Sequence, residues 1–89
     1  MIQLESTRVR EAFSDLVSEI SHRRTLFSLT RETEKVELMN ELERTAEIIV
    51  KVVDKYDVLR LLKRVMNDSR IDDALKAKFV CLSAAVLEK

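Results

Sequence analysis

A chain of 89 residues has room for one domain, and a domain this small buries too little of its surface to be very stable without help. Sixteen basic residues balance sixteen acidic ones, which excludes an overall field able to hold a polyanion or an anionic membrane. There is no glycine and no proline, so the glycine-dependent phosphate loops and nucleophile elbows are excluded too, and nearly every position is free to be helical.

The first predicted helix covers about 7–27. Ser6 or Thr7 is expected to cap it, Val9, Phe13, Leu16, Ile20 and Phe27 share one side, and Arg23 takes the remaining position of that seam. A cation there either snorkels outward or pairs with a carboxylate across an interface. Ser28, Leu29 and Thr30 form the expected break, with Thr30 capping the next helix.

The second predicted helix covers about 31–55 and carries a heptad of Met39, Leu42, Ala46, Ile49, Val53 and Tyr56. Leu38, Val50 and Val52 widen its apolar side, and from 48 to 53 only Lys51 is polar. That run is β-branched enough to read as a buried strand, but heptads flank it and no turn residues bound it, so helix is the reading. A third helix, about 58–66, follows Asp57 as cap or continues directly from the second. Asn67, Asp68 and Ser69 make a stronger break, and Ser69-x-x-Asp72 is close to a capping box. The fourth helix covers about 70–87 with Ile71, Leu75, Phe79, Leu82 and Val86 inward. The expected architecture is all-α: a single domain, 1–89, folded as an antiparallel bundle of three to four helices.

A second helix of 25 residues would extend roughly 37 Å, more than twice the third helix, so part of its apolar side lacks cover within one chain. This mismatch predicts a small protein-interaction module, an adaptor, inhibitor, chaperone-like subunit or regulator, with homodimerisation its simplest version. The expected partner-binding residues are Leu38, Met39, Leu42, Ala46, Ile49, Val50, Val52, Val53 and Tyr56, rimmed by Glu43, Arg44 and Glu47.

Two cation sets offer alternatives. Arg23, Arg24 and Arg31, with His22 beside them, could gather around an anion as an enzyme or sensor, although a solvated helix end is the plainer reading. Arg60, Lys63 and Arg64 line one side of the third helix with Arg70 after the turn, which suggests a nucleic-acid-binding regulator; Asp72 and Asp73 stand against it, where a recognition helix would meet phosphates. Glu34, Glu37 and Glu41 form an acidic stripe, and Glu43 with Glu47 another, each unfavourable in an isolated helix unless something basic faces it.

No catalytic dyad is visible, so the chain is not expected to be an enzyme. Cys81 lies in an apolar run where burial would leave its thiol inert, and with His22 it cannot close a metal site, so neither metal nor cofactor is expected. The longest apolar run, 79–87, is far shorter than the roughly 20 residues that span a bilayer. The amino-terminal residues resemble no secretory signal, and the expected location is cytoplasmic.

Overall fold

The computed structural model describes residues 7–52 and 54–88. They form four α-helices, α1 (Thr7–Leu29), α2 (Thr33–Lys51), α3 (Lys55–Met66) and α4 (Asp73–Leu87), and no strand is present among the described residues. The expected cap Ser6 and the expected seam residue Val53 lie outside the described residues.

The helix ends differ from expectation for reasons of local hydrogen bonding. α1 runs through the predicted break to Leu29 and closes with a Schellman pair: the Glu32 N–H donates to the Phe27 carbonyl (2.9 Å) and the Arg31 N–H to that of Ser28 (3.2 Å). Arg31 sits at φ 60°, the left-handed position usually given to glycine, which this chain lacks. Thr30 finishes α1 instead of capping α2, since its hydroxyl reaches back to the Leu26 and Phe27 carbonyls at 3.2 Å.

α2 and α3 are separate helices. The β-branched stretch weakens helix propensity, Val52 turns extended (φ −73°, ψ 149°), and Asp54 rather than Asp57 caps α3 by accepting the Tyr56 N–H at 2.8 Å. Before α4, Asp72 takes the role expected of Ser69 and accepts the Leu75 N–H at 3.0 Å.

Cross-helix pairs set the packing. Arg8 with Glu88, Lys78 with Asp15 (2.7 Å) and Arg23 with Asp72 run down the α1–α4 contact in descending order, so the two helices are antiparallel along their length. Arg24 donates to Glu43 (2.6 Å) and Asn40 (3.0 Å), and the Lys35 ammonium lies 5.3 Å from the Phe27 ring centre, which makes α1 and α2 antiparallel as well. α3 folds back along α2 and packs mainly on α4.

The core takes apolar residues from every helix: Leu16 and Ile20, Leu42 and Ile49, Val58 and Val65, Phe79 and Leu82, each buried. This corrects the partner surface expected from the heptad. Leu38, Met39, Leu42, Ala46, Ile49 and Val50 are all buried within their own chain, and Val52 is half-buried against the core. The physical reason is length: α2 has 19 residues, about 28 Å, against 23 in α1, so the neighbours shelter the stripe from end to end. Tyr56, expected to close the heptad, belongs to α3 and is 81% exposed, because the break at Val52 resets the helical phase.

Candidate interaction surfaces

The structure divides the two predicted cation sets differently from the sequence. Arg23 of α1, Lys35 of α2 and Arg70 of the α3–α4 connection come together, with Glu34 and Asp72, around a pocket of about 370 Å³ floored by Phe27, Leu38, Met39 and Leu75. Each of these cations already has a carboxylate. Arg23 is held by Glu19 (2.8 Å) and by Asp72, Lys35 by Glu32 (2.7 Å), and Arg70 by both oxygens of Asp68 (2.7 and 3.0 Å). Burial opposes the Arg23 charge, but its bonds to Asp72 and Glu19 outweigh that and raise its pKa. The side-chain bond from Arg70, then the bond from the Arg70 backbone N–H, lowers the Asp68 carboxyl to about 2. The bond from Arg23, then that from the Leu75 N–H, holds Asp72 below the ordinary carboxylate range. The pocket is therefore a charge-balanced junction of three elements.

Arg24 is committed to Glu43 and Asn40, and Arg31, exposed, contributes chiefly its backbone to the α1 cap. On α3, Arg60 is taken by Asp57 at 2.9 Å, whereas Lys63 and Arg64 have no ion pair among the described residues. Arg64 lines a groove of about 90 Å³ between α2 and α3, together with Glu41, Thr45, Leu61 and Asp68. Among the described residues, no three or more His, Cys, Asp or Glu side chains are grouped to share a metal ion, and no helix is long and apolar enough to cross a membrane.

Sequence reasoning placed the exposed apolar surface on the stripe of α2 that the chain itself buries. Large exposed apolar residues lie on the outer side of α3 and α4, where Leu59 is 48% exposed, Met66 41% and Val80 40%, and also at Leu26 and Leu29 of α1 and Ile48 of α2. Along α4, Ala74, Ala77, Val80 and Cys81 are exposed and uncharged, with half-buried Lys76 and Lys78 to either side of that face. Cys81 thus faces outward, contrary to the buried position expected of it. The signal was present in the run 79–87: nine uncharged positions on one helix wrap about two and a half turns, so some of them must face away from any core.

Comparison of the chain with family models, with curated proteins and with solved structures returned no match.

Proposed function

We propose that this chain is a small helical protein-interaction module that acts by occupying a partner protein's surface with the outer side of α3 and α4. The observation that carries the reading is the exposed, uncharged face of α4, together with exposed Leu59 and Met66 on α3, the helix packed against it. A helix apolar on nearly every side is ordinarily covered on every side, and α4 is covered by its own chain on only one. Small residues along that face let another backbone approach closely, while Leu59, Met66 and Val80 supply the larger side chains that anchor an interface centre.

Affinity capture from the organism of origin tests this, with the wild-type chain compared with a Met66→Lys, Val80→Lys variant. Both positions are exposed, so the variant should melt as the wild type does while losing the specifically captured protein. Alkylation of Cys81 provides a second readout, since an occupied face should slow it. Identical capture by both chains, with Cys81 equally reactive throughout, would remove the reading.

A further inference from the structure

Among the described residues, part of the acidic stripe of α2 and part of the basic face of α3 have no ion pair, although Glu41 lies near enough to Arg70 to favour its charge. α2 carries five glutamates against three cations, and α3 four cations against one aspartate. Glu37, Glu41 and Glu47 on α2 are exposed and have no ion pair among the described residues, and the same holds for Lys63 on α3. The outer face of α2 displays Ile48, at 47% exposure, and that of α3 displays Tyr56, at 81%, with Leu59 and Met66 further along the same stripe.

We infer that two copies of this chain pair through these faces, each α2 lying antiparallel against the α3 of the other copy. The spacing matches. Glu41 precedes Ile48 by seven residues and Lys63 follows Tyr56 by seven, about 10 Å on each helix, so an antiparallel alignment sets Tyr56 on Ile48 and Lys63 on Glu41 at once. The symmetry matches as well. α3 already runs back along α2 in the same chain, so a two-fold axis parallel to both helices, above the groove between them, lays each α2 on the other copy's α3. Both contacts form together and the assembly closes as a dimer. The alignment has one unfavourable point: Arg44, four residues before Ile48, meets Arg60, four residues after Tyr56. Asp57 holds Arg60 and reduces this repulsion without removing it.

Sedimentation of the full chain over a range of concentrations and salt tests the pairing. The wild type should show a monomer–dimer equilibrium that weakens with salt. Lys63→Glu and Glu41→Lys should each weaken dimerisation by about tenfold, and the two together in one chain should restore it. Arg44→Glu should tighten it, a result that apolar association elsewhere would not give. Val80→Lys, on α4, should leave it unchanged, which separates this inference from the α4 face used above. A strict monomer at millimolar concentration overturns the inference, as does a dimer indifferent to Lys63→Glu and Arg44→Glu. Circular dichroism on each variant confirms that these exposed substitutions leave the helices intact.

Discussion

The carboxylate of Asp72 serves two elements at once: Oδ1 accepts the Leu75 N–H and caps α4, while Oδ2 accepts the Arg23 guanidinium of α1. One side chain thus sets where α4 begins and where it sits against α1. It also accounts for a cation in an otherwise apolar seam, since Arg23 reaches the edge of the core and meets both Asp72 and Glu19 there.

Asp72→Ala should destabilise the chain by about 1–2 kcal/mol through loss of the cap, and Asp72→Asn, which keeps an acceptor oxygen, by clearly less. Urea unfolding measures both. A double-mutant cycle with Arg23→Met should give a coupling above about 0.5 kcal/mol; additive losses would show that the Arg23–Asp72 pair contributes nothing of its own.

Acid should weaken the α3–α4 connection. Asp68 and Asp72 both have carboxyls held below the ordinary value, so their stabilisation is complete above that value and fades as the pH falls through the folded one. For Asp68 the window runs from 3.8 down to about 2. Asp68→Asn should therefore lose less stability between pH 5 and pH 2.5 than the wild type does, and equal losses would assign the acid sensitivity to other carboxylates.

Arg31→Gly should stabilise the chain by about 0.5–1 kcal/mol, because relief of the left-handed backbone exceeds the extra freedom glycine has when unfolded. Arg31→Val should do the opposite. Thermal melts that ranked glycine below valine would mean that the turn leaves this geometry in solution.

Ser83 is fully buried and its hydroxyl has no hydrogen-bond partner among the described residues. Ser83→Ala should raise stability by about 1 kcal/mol, since it removes a desolvated hydroxyl at little cost in volume. A loss of that size would reveal a bond the hydroxyl makes in solution.

Adjacent isoleucines in α2 should behave differently. Ile49 is fully buried, and Ile49→Ala should cost about 2–5 kcal/mol; Ile48 faces outward, and Ile48→Ala should change monomer stability by no more than about 0.5 kcal/mol. Denaturant curves at low concentration, where any dimer has dissociated, make the comparison. Similar costs at both positions would contradict the burial pattern.

The all-helical class and the single core were legible from residue types and spacing. A 3.6-residue period in an unbroken chain allows little else, and the inward sets Val9, Leu16 and Ile20 on α1 and Leu75, Phe79, Leu82 and Val86 on α4 follow from it directly. Periodicity names the apolar side of a helix, but it says nothing of how many neighbours cover that side. The heptad centred on Ile49 was therefore legible as a stripe and misread as a partner surface.

What tertiary structure decided was cover and pairing. A separate, short-range effect set the α3 cap at Asp54: with Val52 extended, α2 ends early, its stripe is shorter and Tyr56 turns outward. The meeting of Arg23 with Arg70 around one pocket, and of Arg23 with Asp72, joins residues 47 to 49 positions apart in the chain. Local patterns carry no record of such contacts, because they arise only when the helices have chosen their neighbours.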